Sequence, residues 1–254
     1  MNLILKRTIL AISVCLLASF CKGQLVITNE SIAQALAQKL VGDGITISNV
    51  TFTGNSLQSG YFNNTAHTTN LGLDSGIVLS SGTVKTAGGV TGFDGVASSL
   101  ASTNYGGSGD ADLAASIGTT LSNTYDACIL EFDFVPLGDS VKFRYQFSSE
   151  EYTEAFVCTF NDAFAFFISG PGITGLQNIA LVPGTTTPVS ILNVNDVFNG
   201  VCPLNMSYFV DNTGNNSFTH DGHTTVLAAL AQVQPCQVYH LKLVISKQHL
   251  QHRK

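Results

Sequence analysis

From Tyr125 onward, apolar and polar residues alternate along the chain with a period of two. In "CILEFDFV", Cys128, Leu130, Phe132 and Phe134 share one face of an extended strand, while Glu131 and Asp133 point the other way. After the turn-forming "PLGDS", Val141, Phe143, Tyr145 and Phe147 repeat the pattern, with Lys142, Arg144 and Gln146 opposite. Two such runs around a short connection predict a β-hairpin, whose outward acids and bases would pair across the strands for roughly 0.2–1 kcal/mol each. "FAFFISGPG", "IALVP", "VSILNV", "SYFVDN" and "YHLKLVIS" are further short apolar runs bounded by Gly, Pro and Asn, and they too read as strands.

Upstream the period lengthens. In "NESIAQALAQKLV" (29–41), Ile32, Leu36 and Leu40 fall on one helical stripe, with Asn29 placed to cap it and Gly42 to stop it. "ITISNVTFTG" and "GIVLSSG" return to strand spacing, the latter within a stretch from Gly54 to Gly109 that is dense in Gly, Ser, Thr and Asn. Phe52, Tyr61, Phe62, Ile77, Val78 and Leu79 are apolar enough for this region to join a core. Many short strands with one short N-terminal helix predict an all-β fold, an antiparallel β-sandwich of jelly-roll type. The domain spans 24–246, with a loop-rich part at 24–124 and a core part at 125–246.

The first 23 residues stand outside this pattern. Lys6 and Arg7 precede "TILAISVCLLASF", an apolar run too short to span a membrane and matched to a secretory signal peptide cleaved after Gly23. Phe20 disfavours the competing reading, lipidation at Cys21, where a lipoprotein signal wants a small residue. Loss of Lys6, Arg7 and Lys22 leaves 8 basic against 17 acidic residues, a net charge of −9. Three of those eight bases, Lys247, Arg253 and Lys254, sit in the segment 247–254, which reads as a basic tail or a truncated end. So acidic a body repels phosphate backbones, which excludes nucleic acid as the expected partner. The mature chain shows no later apolar run of membrane-spanning length.

Cys128, Cys158, Cys202 and Cys236 remain after the signal, and an exported chain with four cysteines suggests two disulfides. Without a CxxC pair, zinc is a poor reading. Three connectivities are open. The expected one joins Cys158 to Cys202, stapling an acidic corner to "NGVCPLN", and Cys128 to Cys236, tying two strands.

That corner, "FSSEEYTEAFVCTFNDAF", gathers Glu150, Glu151, Glu154 and Asp162. Paired carboxylates could serve a glycosidase, but the chain has no Trp for sugar stacking and no GxSxG, HExxH or P-loop motif. Calcium suits the composition better, with Glu150, Glu151 and Asp162 as one acidic loop and Asp110 and Asp112 of "GSGDADL" as another. The bland alternative makes these acids the solvated rims of strand ends. "HDGH", holding His220 and His223, has the wrong spacing for a helical zinc pair and reads as a turn.

"LEFDFVPLGDSVKFRYQFSSEEY", "FNDAFAFFISGPG", "NIALVPGTTTPVSI", "NVN" at 193–195, "YFVDN" and "YHLKL" follow one another in an order that resembles the choice-of-anchor L domain family. With "LVGDGITISNVTFTG" and "GIVLSSG" upstream, the resemblance covers roughly 25–246. It implies an exported bacterial surface module of the Bacteroidetes type, and it carries over no catalytic residues. "NDAFAFFISGPG" also resembles, more weakly, a strand and turn of legume-type lectins. The expected function is therefore a secreted or cell-surface, non-catalytic module for adhesion or glycan binding. Its partner would be a polysaccharide or another surface protein. A secreted carbohydrate-active enzyme using paired carboxylates is the alternative.

Overall fold

The computed structural model describes residues 25–65, 69–85, 100, 102–152, 160–196, 204–213 and 218–248. The expected signal peptide (residues 1–23), Cys158, Cys202, Glu154 and residues 249–254 lie outside this set. In chain order the elements are β1 (Val26–Asn29), α1 (Ala33–Val41), β2 (Thr46–Thr53), β3 (Ser59–Asn63), β4 (Ser75–Leu79), α2 (Ala111–Ser116), β5 (Thr124–Val135), β6 (Ser140–Tyr145) and β7 (Ser148–Ser149). Then follow β8 (Ala163–Gly170), β9 (Ile173–Asn178), β10 (Phe209–Asp211), β11 (Gly222–Thr224), β12 (Leu227–Gln232) and β13 (Tyr239–Gln248).

One layer is a five-stranded antiparallel sheet in the order β2-β5-β13-β8-β9. Its register turns the two-residue period into a face: Leu130 lies beside Leu243 and Leu243 beside Phe166, while Phe132, Leu241 and Ile168 form the next row. All six are buried on the inner side. The second layer is less regular. β6 pairs β12, β7 pairs β11, and the Thr224 N–H donates to the Phe147 carbonyl between them (2.8 Å), so these segments form one broken ribbon. Aromatic rings join the layers: Tyr145 meets Phe164 at 4.9 Å, Phe147 stacks on Phe164 at 5.3 Å and Phe143 on Phe166 at 6.1 Å. β1, β3 and β4 make a third small sheet, and α1 packs on β2, β4 and β5 through Leu36 and Ala37. The expected all-β antiparallel sandwich is the fold observed.

The expected hairpin is not. β5 pairs β2 and β13, β6 pairs β12, and "PLGDS" carries the chain from one layer to the other. A hairpin would set both apolar faces side by side on one surface, whereas here they oppose each other across the core. The two arrangements have the same alternation. The charges accordingly find other partners: Asn49 Nδ2 donates to Asp133 at 2.7 Å, His240 Nδ1 lies 2.9 Å from Asp133, and Lys142 and Arg144 sit opposite Leu230 and Ala228.

Smaller corrections have equally local causes. Asn29 ends β1 and bonds the Lys85 carbonyl; the helix starts later, at Ala33, and leaves Ile32 exposed. "GSGDADL" is the start of α2, whose first turn is capped by Asp110 accepting from the Leu113 N–H (2.9 Å). "IALVP" and "VSILNV" make only isolated bridges, Leu181 with Pro188 and Ala163 with Ser190, although Val182, Val189 and Ile191 are buried. β12, "LAALAQ", alternates buried and exposed residues but carries alanines, which are weak strand formers. Lys247 and Gln248 belong to β13 and pair with Tyr125 and Thr124 after a bulge, so the strand takes in the first two residues of the expected tail.

Cys128 and Cys236 are both free, and the bond expected between them is not formed. Cys128 lies on the inner face of β5 with its thiol directed at the Gln58 carbonyl (3.6 Å), while the Cys236 N–H bonds the carbonyl of Pro136, past the other end of that strand. Eight residues of strand separate these points, about 26 Å at roughly 3.3 Å per residue, and a disulfide needs Cα atoms within about 7 Å.

Candidate functional site

A cleft of about 900 Å³ opens between β4 and the β6–β7 ribbon. Its floor is the apolar inner face of the large sheet, with Phe164, Phe166, Leu243 and Ile245. Lys142 and Arg144 border it along β6, and Glu150, Glu151, Asp162, Asp126, Lys247 and His220 gather at the far end.

The chain builds that end by turning sharply after β7. Ser149 Oγ donates to Asp162 Oδ2 (2.8 Å) and accepts from the Glu151 N–H (3.0 Å), which locks the turn onto the start of β8. Ser102 Oγ donates to Glu150 Oε2 at 2.8 Å. Lys247 donates to the Thr103 carbonyl (2.6 Å) and lies 3.6 Å from Asp126, whose oxygens also accept from the N–H groups of Gly107 and Tyr105. Glu150 Oε1 and Glu151 Oε2 are buried without a hydrogen-bond partner among the described residues.

These carboxyls do not titrate as exposed ones do. Burial pushes Glu150 up to about 7, with the Ser102 bond opposing and Asp221 and Asp162 adding to the rise. Burial also raises Glu151, and the neighbouring Asp162 and Glu150 reinforce it against Lys247. His220, held 2.8 Å from Ser148 Oγ, is driven down to about 4, chiefly by burial and then by His223. A neutral imidazole and carboxyls that hold protons near neutrality therefore share one end of the cleft.

The five acids named from sequence do not form one group. Glu150, Glu151 and Asp162 meet at the cleft, whereas Asp110 and Asp112 lie behind the large sheet, where Lys242 Nζ bonds both at 2.6 and 2.7 Å. Burial works to lower the Lys242 ammonium, but the two carboxylates outweigh it and hold it above its ordinary value. That triad pins α2 over the outer cluster of Leu113, Phe167 and Val244. Among the described residues, no group of three or more His, Cys, Asp or Glu is disposed to hold a metal ion. His223 is in a strand rather than a turn, buried in β11 with its ring 5.6 Å from that of Phe218.

Sequence reading missed the wall made by β4, and it missed Ser102, His220 and Lys247 as members of the acidic end. Lys247 had one signal: it follows an alternating strand and needs only a one-residue bulge to remain in it.

The described residues thus form an antiparallel sandwich with a cleft that is apolar in its floor and carries charged residues at its ends. The family model of the choice-of-anchor L domain matches residues 26–253, and the chain belongs to that family. The match runs past Ser246, where the sequence resemblance had been ended. Membership points to a surface-associated, non-enzymatic domain. No curated protein and no solved structure matches the chain. No helix among the described residues is long and apolar enough to cross a membrane.

Proposed function

We propose that the domain is an exported, non-catalytic adhesion module that holds a ligand presented by another surface in the cleft between β4 and β6–β7. The observation that carries this reading is the cleft itself, preformed, apolar in its floor and charged at its ends. Family membership supports the surface setting. A polysaccharide and a second surface protein are the two ligand classes to separate. Immobilised glycans and peptides are screened against the wild-type protein and a Ser75→Trp, Arg144→Trp double variant. Both positions are exposed and border the cleft, so the fold tolerates the added rings while the mouth narrows. Binding that the double variant loses supports the reading; equal binding by both proteins overturns it.

A second reading, a secreted carbohydrate-active enzyme, is favoured by one observation: Glu150, raised to about 7, stands near Asp162 in the manner of a general acid beside a carboxylate. Turnover of any polysaccharide that Glu150→Gln abolishes would establish it. Calcium at Glu150, Glu151 and Asp162 is tested by melting curves in EDTA and in millimolar calcium, where native-state binding raises the midpoint.

A further inference from the structure

Among the described residues, two strands that line the cleft are paired on one side only. β4 is bonded on one side only, to β3, and β6 on one side only, to β12. In an antiparallel strand, alternate residues direct N–H and C=O to each side, so each of these strands carries a row of unused donors and acceptors along its free edge. Both strands line the same cleft. Consecutive residues border it, Ser75 to Ser81 on one wall and Lys142 to Glu151 on the other, odd and even positions alike. The two strands that keep a free edge, β4 and β6, thus run along one cleft.

The remaining features fit the same occupant. The floor between the edges is apolar, and β4 and β6 are 5 and 6 residues long, enough to flank a short strand. Lys142 and Arg144 make no ion pair with any described residue at one end. At the other, Glu150 Oε1 and Glu151 Oε2 lack donors among the described residues, and so does the buried hydroxyl of Tyr145 between the ends. Buried oxygens without partners in a native protein call for a missing donor.

We propose that an extended polypeptide segment of a partner protein binds here as an added β-strand between β4 and β6, with a Lys or Arg at the Glu150–Glu151 end and an acidic residue or C-terminal carboxylate at the Lys142–Arg144 end. Its alternate apolar side chains rest on Phe164, Phe166, Leu243 and Ile245. The unused backbone rows favour a polypeptide over a glycan, because their groups recur at a strand's own repeat, about 6.6 Å per two residues, which another strand matches along its whole length. The proposal rests on the adhesion reading of the cleft and names its ligand.

The test uses the full chain and an array of synthetic octapeptides that alternate Val, Ile, Leu, Phe or Tyr with Thr and carry Lys at one end and Glu at the other, in both orders, beside a glycan array. One end-charge order is expected to be retained and the reverse order to bind at least tenfold more weakly. The retained peptide should slow amide exchange in Ser75–Leu79 and Ser140–Tyr145. N-methylation of its backbone in either alternating frame should weaken binding at least tenfold, since it removes donors while leaving every side chain in place. The Ser75→Trp, Arg144→Trp variant, checked to keep the wild-type urea midpoint, should not bind. Equal binding of the N-methylated peptides, protection confined to other strands, or no retention of any peptide overturns strand addition. Glycan retention that the double variant abolishes would overturn the peptide ligand and leave the adhesion cleft standing. Ligand retention that the double variant leaves intact removes both.

Discussion

Replacing Glu150 by Gln should make the protein's stability less sensitive to alkaline pH. In the folded chain the carboxyl is raised from its ordinary 4.5 to about 7, mainly by burial. Between those two values the native state holds a proton that the unfolded chain has released, so native stability falls as pH rises through the window, is highest below about 4.5 and is fully reduced above about 7. At 1.36 kcal/mol per tenfold change, the ceiling of this effect is about 3.4 kcal/mol. Glu150 is only half-buried, and solvent screening brings the expected size down to about 1–2 kcal/mol. Glutamine keeps the shape and the acceptor for Ser102 but does not ionise. Urea unfolding of wild type and variant at pH 4.5 and pH 8 reads the difference. The gap between the two proteins should move by about 1–2 kcal/mol in the variant's favour on going to pH 8, a midpoint change of about 0.5 M for a slope of about 3 kcal/mol/M. Comparing two pH values cancels any constant cost of the substitution. A gap that stays fixed, or one that moves toward the wild type, would show that the native carboxylate is as well solvated or paired as in the unfolded chain, and the account of the acidic end would be wrong.

Lys242→Met should cost about 3 kcal/mol, because it strands the buried Asp110 carboxylate, and adding Asp110→Asn and Asp112→Asn should restore part of that; urea midpoints check both, and a loss below 1 kcal/mol would contradict a buried pair. In the native protein, Cys236 should be modified quickly by a thiol reagent while Cys128, buried and with its thiol pushed by burial up to about 12, should react only after unfolding, as read by mass-spectrometric mapping of each cysteine; equal rates would contradict the placement of Cys128 in the core.

Alternation in residues 125–147 and in "YHLKLVIS" was enough to identify the strands and the face each turns to the main core, because a period of two depends only on the geometry of one strand, but not that Lys242 and Val244 on the other face of β13 are buried as well. The acidic corner was legible for a similar reason, since Glu150, Glu151 and Asp162 are near neighbours in sequence. Pairing was another matter. β6 could lie beside β5 or across from it with the same alternation, and what decided was the long-range fit of Tyr145 and Phe147 against Phe164 and of β6 against β12, a strand whose alanines carry little signal of their own. The same holds for Asp110 and Asp112, which compose well as metal ligands until the register of β13 places Lys242 beside them. The cleft is still further from the local sequence. It exists because two sheets stop short of each other, and the unpaired edges of β4 and β6 that border it come from parts of the chain more than 60 residues apart. Local periodicity determined the strands and their buried faces. Which strands meet, and which edges stay open, was decided by packing between distant segments, where each contact depends on the shape of both partners.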